Sequence, residues 1–442
     1  MQFNSVEFLF YFLPLFLAAY YIVPPKRRNA MLLLGSLVFY AASGVLKLWW
    51  LGLILGLSML AYLAGRMIAK WGSAWLLGIA LTGMAAVLVF FKCWDGGRHL
   101  PGGMSFYMFQ MSAYLVDIYR RRLDPERDVV AYGAQILFFP KLLSGPIMDP
   151  ARLKAQAAHP CTCGWPFRRG LQELILGLGL KVLLADRLGG LWAQAAVTGY
   201  SHISMPFAWL ALIAYALRLY FDFYGYSLMA VGLGHMLGFH LPMNFLEPYS
   251  AKSVSEFYRR WHATLGRWFR EYVYIPLGGS RRGMGRTILN LAIVWALTGF
   301  WHGLGGNYLV WAGFIFLLIV NEKLWLGKRL ERSKVMCHVY TILAILVSWL
   351  PFAIGDWGQM IAYGRRLLGI GHAANFSDWL ILGRSYWPVL CAGFLFATPL
   401  PKKLWQKVQN SRWADAVLFI LFWVVVYTIC TSGQDPFMYF QY

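Results

Sequence analysis

Residues 297–311 read LTGFWHGLGGNYLVW, an apolar and aromatic run that carries one titratable base, His302, followed by a break at Gly303-Leu304-Gly305-Gly306. Apart from that base and that break, the stretch has the composition of a lipid-embedded helix. It is representative of the chain. Of 442 residues, 59% are hydrophobic and 13% charged, and the mean hydropathy is +0.52, which lies outside the range of ordinary globular domains. A bilayer-crossing helix needs about 20 mostly apolar residues, and such segments recur from residues 8–23 to residues 417–430. The chain therefore reads as an all-α polytopic membrane protein, with about ten or eleven transmembrane helices by this length requirement.

Forty Lys and Arg against 19 Asp and Glu give a net charge of +21. In a soluble protein that balance would point to nucleic acid. Here the basic residues fall in the connections, at Lys26-Arg27-Arg28, Arg120-Arg121-Arg122, Arg281-Arg282, 328–334 and Lys402-Lys403. That placement fits the positive-inside rule and anionic lipid headgroups, and it argues against a nucleic-acid partner. The opening MQFNSVEFLFYFLPLF has no Lys or Arg before its first apolar run and three basic residues after it. This places the N-terminus outside and residues 26–28 in the cytoplasm, with no cleavable signal. Carrying the crossings forward puts Lys402-Lys403 inside and the C-terminus outside, and leaves Arg365-Arg366 outside against the rule.

The six cysteines are scattered, and only Cys161-Thr162-Cys163, two residues after His159, is local. The second pair of ligands for a zinc site is missing, so a reduced loop with no metal and no disulfide is expected.

With no repeat and no low-complexity linker, residues 1–442 read as one membrane domain: spans to 94, a core over 100–311, and further spans over 312–442. The core begins with short, broken segments. PGGMSFYMFQMSAYLVDIYR is Gly-led and closed by charges, and AQILFFPKLLSGPIMDP is interrupted by Pro140, Lys141, Gly145 and Pro146. Segments of this kind are expected to be re-entrant or interfacial, since irregular backbone at membrane depth survives only where protein or a wet cavity covers it.

Polar residues concentrate over 220–311. Asp222 interrupts the apolar YFDFYGYSLMAVGLG, either as a salt bridge to an arginine of the segment that follows or as part of a substrate pathway. SVSE at 253–256 has capping-box spacing and predicts a helix over 254–269. Arg259, Trp261 and His262 then share one turn, and Tyr258, Trp261, Leu265, Trp268 and Phe269 recur at helical spacing. Such a basic, aromatic helix belongs at an interface or along a polar funnel. Taken alone, His262 reads as a belt histidine reaching water, and LGGSRR at 277–282 as a turn between helices in preference to a phosphate cradle. His302 has a different setting, at the end of an apolar span beside a glycine-permitted close approach. Ionisable groups placed so are functional candidates by default, with a structural histidine as the alternative.

These residues carry a resemblance. FYRRWH, WFREYVYIPLGG, GFWHG, the upstream LSGPI and FDFYGYS, and the terminal FMYFQY together resemble the membrane-bound O-acyltransferase (MBOAT) family, in its bacterial alginate O-acetylase branch. The resemblance covers roughly half the chain, with the motifs in family order. It implies a polytopic helical fold around a funnel in a bacterial inner membrane, with His302 at the position of the catalytic base and His262 at the second family histidine. It further implies movement of an acyl group from a cytoplasmic thioester, acetyl-CoA or an acyl carrier, to an extracytoplasmic polysaccharide hydroxyl with the help of an extracytoplasmic acetyltransferase partner. No bound cofactor is expected. Trp301, Trp261, Tyr258, Arg259, Arg260, Asp222 and Asn307 are expected to line the substrate channel. The chain departs from the branch at Leu228, where Asp is common, and at 311–316, WAGFIF, where Trp-Gly-x-x-His-Gly is common. The D-alanyl transferases of teichoic-acid modification share FDFYGYSL but not YIPLGGSR.

The chemistry suits a buried imidazole, which stays neutral and able to accept a proton. A positioned base contributes roughly 10²–10⁴-fold to acyl transfer onto a hydroxyl. No GxSxG elbow or cysteine nucleophile stands out, so direct transfer without a covalent enzyme intermediate is expected. A transporter of acyl groups and a non-catalytic scaffold of a polysaccharide-export complex are the other classes left open.

Overall fold

The structure, a computed structural model, describes residues 1–43, 48–94, 100–158, 160, 165–330, 333–371, 373 and 375–432. Among these residues every regular element is helical, as the composition requires. The His159 and Cys161-Thr162-Cys163 cluster and the terminal FMYFQY lie outside the described residues.

Seven described helices are long and apolar enough to cross a bilayer: Trp49–Trp71, Ala74–Cys93, Met205–Met236, Gly306–Leu326, Lys334–Ala353, Asp378–Phe396 and Arg412–Ser432. A shorter apolar stretch covers Glu7–Ile22. Other apolar sequence is divided into pieces that hydropathy counts and length does not. Met104–Tyr119, with 16 residues, is about 24 Å long at 1.5 Å per residue, short of the roughly 30 Å hydrocarbon core. The spans also differ in surroundings. Only 11% of the apolar window of Ala74–Cys93 is buried, against 72% of that of Met205–Met236. The first shows its sides to the surroundings, and the second, which carries Asp222, is core.

The described residues cluster into two compact units: residues 1–178 with 226–243 and the residues from Phe422 on, and residues 179–225 with 244–421. In the first, Phe12, Phe16 and Phe39 ring Phe139 at 5.3–5.6 Å. Phe139 opens the short helix Phe139–Leu142 inside the broken 137–150 segment. Gly145 allows that segment to double back, because a Cβ there would lie 2.3 Å from the Lys141 Cα. The result is irregular backbone covered by protein, as its proline and glycine content predicts. Lys141 lines a small pocket there with Tyr107 and Gln110. Its ammonium donates to the Ile136 carbonyl at 3.3 Å, and burial pushes its pKa down to about 7.

The second unit holds every residue expected at the site. It also bears on the anomaly in the charge pattern, since of Arg365 and Arg366 only Arg365 is exposed. Arg366 is buried, donating Nε to the Ile203 carbonyl at 2.7 Å and Nη1 to the Ile370 carbonyl at 3.1 Å. It closes the end of the helix Trp357–Leu367 and is no loop charge for the positive-inside rule to count.

Candidate active site

The helix expected over 254–269 is broken in two. Its start is as the capping box predicts: Ser253 Oγ accepts from the Glu256 N–H at 3.0 Å, and Glu256 Oε2 accepts from the Lys252 N–H at 2.8 Å, one residue ahead of the usual partner. Glu322 adds a second cap from another helix, its carboxylate accepting from the N–H groups of Val254 at 2.6 Å and Ser255 at 3.0 Å. The helix then stops at Arg260. Trp261 is extended, His262 adopts φ 46° and ψ 49°, and a second helix runs Ala263–Phe269. Helical spacing of the aromatics is therefore interrupted at the histidine, and Arg259, Trp261 and His262 do not share a turn. A left-handed non-glycine residue costs on the order of 1–3 kcal/mol and persists only where its surroundings dictate it.

The surroundings do so here. The residues after Met243 pair with the break: the Leu246 N–H donates to the Arg260 carbonyl at 3.1 Å, and the Ala263 N–H donates to the Asn244 carbonyl at 2.9 Å. The side chain of Asn244, with no exposed surface, places Oδ1 3.2 Å from His262 Nδ1 and 2.5 Å from Thr264 Oγ1. His262 is 4% exposed and lies outside the spanning helices. Burial pushes its pKa down to about 3, so the ring is neutral at physiological pH.

His302 is presented in the opposite way. It is the last residue of the unbroken helix Met284–His302, followed across Gly303 and Gly305 by the helix Gly306–Asn321. These two helices touch closely because their glycines have no Cβ. A Cβ on Gly303 would lie 2.4 Å from the Tyr308 ring, and one on Gly299 would lie 2.9 Å from the Ala312 Cβ. The imidazole, 7% exposed, sits among Trp301, Trp311 and Phe352 with ring centroids at 4.5, 5.0 and 5.1 Å.

Trp301 connects the two histidines, 6.2 Å from His262 and 4.5 Å from His302 between centroids. Around them Trp261, Phe257, Trp349 and Tyr258 close an aromatic shell. Trp261 stacks on Phe257 at 5.4 Å and meets Trp349 at 5.1 Å, and Tyr258 meets Trp295 at 4.8 Å. Phe257, Tyr258, Trp261, Trp301 and both histidines, all from the motifs singled out in the sequence, thus converge. Trp349 and Phe352, beyond the expected 100–311 core, and Asn244 and Thr264 join them without any spacing signal in the sequence. Asn244, Trp349 and Phe352 approach from elsewhere in the chain, and Thr264 follows His262 by two residues.

The remaining expected channel residues have other partners. Arg260 donates to Ser250 Oγ at 2.7 Å and pairs with Glu256. Arg259 is exposed. Asn307 donates Nδ2 to the Pro351 carbonyl at 2.9 Å, satisfying one of the end carbonyls of Lys334–Ala353. Asp222 does not meet an arginine of the 259–270 segment. Its ion pair is with Lys181 at 2.8 Å, and Lys181 also meets Asp186. Because Lys181 and Asp222 are both at most 1% exposed, their charges require each other. Lys181 comes from the π-turn Leu180–Ala185, an offset that helical periodicity does not anticipate. LGGSRR forms the expected turn, with Gly278 and Gly279 at positive φ. Among the described residues no group of three or more His, Cys, Asp and Glu could hold a metal ion.

Known proteins are similar to this chain over much of its length. The model of the membrane-bound O-acyltransferase family matches residues 121–363. The chain is 31% identical to the probable alginate O-acetylase of Pseudomonas putida, with all of both chains covered. It is 32% identical to the peptidoglycan O-acetyltransferase of Helicobacter pylori, over 70% of this chain and 68% of that one. Similarity to the teichoic acid D-alanyltransferase of Bacillus subtilis is 27% and covers 40% of this chain and 47% of that one.

Proposed function

This chain belongs to the membrane-bound O-acyltransferase family and is an O-acyltransferase, and from that premise we propose that it O-acetylates an extracytoplasmic exopolysaccharide of the alginate or cellulose kind. The donor is a cytoplasmic thioester, acetyl-CoA or an acyl carrier, and an extracytoplasmic acetyltransferase partner completes delivery. Both termini lie outside the bacterial inner membrane in this reading. His302 is the base. It takes the acceptor hydroxyl's proton as that oxygen bonds to the acyl carbon, and it returns the proton to the thiolate when the C–S bond breaks. His262 supports the site as a neutral group.

The observation that carries the reading is the convergence of two buried histidines on Trp301 inside one aromatic shell. An imidazole enclosed by rings is poorly solvated, so it acts as a base without competing water. The O-acetylase relatives are 31% and 32% identical over 70% or more of this chain, and the D-alanyl transferases 27% and 28% identical over 40% and 53% of it, which favours acetyl over D-alanyl transfer. A transporter or a scaffold would not need the base. His302→Ala in a protein that inserts normally is therefore expected to abolish polymer acetylation, and normal acetylation by that variant would overturn the catalytic reading.

A further inference from the structure

The carboxamide of Asn244 is engaged at one end only. Oδ1 faces His262 Nδ1 at 3.2 Å and Thr264 Oγ1 at 2.5 Å. The Thr264 hydroxyl donates to that oxygen, and with the His262 proton on Nδ1 the ring does so too, which sets the orientation of the amide. Nδ2 is buried, without a hydrogen-bond partner among the described residues. Leaving a buried donor without an acceptor is costly, and native proteins leave few of them. This one adjoins a histidine on strained backbone, a setting where strain marks function.

We infer that Asn244 Nδ2 is the hydrogen-bond donor to the carbonyl oxygen of the acyl group being transferred. The inference rests on the acyl-transfer reading above. In the addition step the acceptor hydroxyl oxygen bonds to the acyl carbon, its proton passes to the imidazole of His302, and the carbonyl π pair moves onto oxygen. Nδ2 donates to that oxyanion. Collapse restores the C=O bond and breaks the C–S bond, and the thiolate takes the proton back. The carbonyl oxygen suits Nδ2 better than the hydroxyl does, because it has no hydrogen of its own and it gains charge. A preorganised neutral donor is most effective where charge develops. Oδ1, held by His262 and Thr264, fixes the direction of that donor.

Asn244→Asp separates this role from simple bracing, because the carboxylate keeps an oxygen for His262 and Thr264 while removing the donor. With the purified full-length protein and acetyl-CoA or an acetylated acyl carrier, whichever the wild type uses, kcat is expected to fall roughly 10²–10³-fold, with the donor KM within about threefold of wild type. The loss should persist at pH 9. A carboxylate beside His262 favours the imidazolium, and any loss from that protonation recovers as pH rises. Wild-type kcat at pH 7, or recovery at pH 9 to within about threefold of wild type, overturns the inference. Thr264→Val, which leaves Nδ2 in place, should cost less than about tenfold. Should Asn244→Asp fail to insert, Asn244→Ser, which keeps an acceptor oxygen and lacks the amide nitrogen, takes its place with the same expected loss. A wild-type protein that turns over neither thioester would overturn the acyl-transfer reading itself, whereas an active Asn244→Asp protein overturns the Asn244 assignment alone.

Discussion

The 254–274 segment and the helix Met284–His302 each deliver one histidine to the same aromatic shell, by opposite means. The first is two short helices and a π-turn joined through left-handed backbone at His262. Polar groups hold it together: Asn244 at the break, Glu322 and Ser253 at its start. The second is an unbroken 19-residue helix ending at His302, held by apolar contact, with glycines bringing its neighbour close. A strained histidine needs hydrogen bonds to fix its backbone, and a histidine at the end of a regular helix is placed by the packing of that helix. Polar bracing sets direction, while ring packing excludes water, and the two residues accordingly suit support and proton transfer.

Exchanging the roles tests this contrast most severely. His302→Gln should lower the rate of transfer by roughly 10²–10⁴-fold, the contribution of a positioned base, with donor KM unchanged. His262→Gln, which keeps a hydrogen-bonding group for Asn244, should lose far less. Equal losses would show that both rings handle the proton.

The packing half of the comparison is exposed at Gly303. With Tyr308 ring atoms 2.4 Å from its would-be Cβ, Gly303→Val should destabilise the hairpin by about 1–3 kcal/mol as overpacking does, read as a lowered Tm in detergent. An unchanged Tm would mean that the two helices separate freely.

Acid should act on the polar half. His262 has a folded pKa near 3, below its unfolded value of about 6.5. The unfolded state therefore binds the proton first, and stability falls as pH drops below that unfolded value. At pH 5 the expected loss is about 2 kcal/mol relative to neutral pH. His262→Gln should remove most of this acid sensitivity in a pH series of Tm values, and a variant that keeps the wild-type slope would assign it elsewhere.

The smallest effect expected is at the start of the broken segment. Ser253→Ala should cost about 1 kcal/mol as the loss of an N-cap, seen as faster amide exchange over 254–260. Retained protection there would show that the Glu322 carboxylate caps that helix unaided.

The amino-acid sequence by itself determined the membrane setting, the helical class, the helix start at SVSE and the two histidines as candidates. These depend on composition and on residues adjacent in the chain, where hydropathy and capping chemistry act locally. The break at His262 was not legible, because the aromatic spacing over 258–269 suits one helix and only backbone pairing with 244–246 overrides it. The partner of Asp222 was equally hidden. Choosing Lys181 over an arginine is a long-range result of desolvation, since two buried charges must neutralise each other wherever the fold brings them together. Asn244 lies in one part of the chain and Trp349 and Phe352 together in another, on the helix Lys334–Ala353, and none carries a local mark of function. Tertiary packing alone brought them to the histidines, where burial removed water and left their few polar atoms to one another.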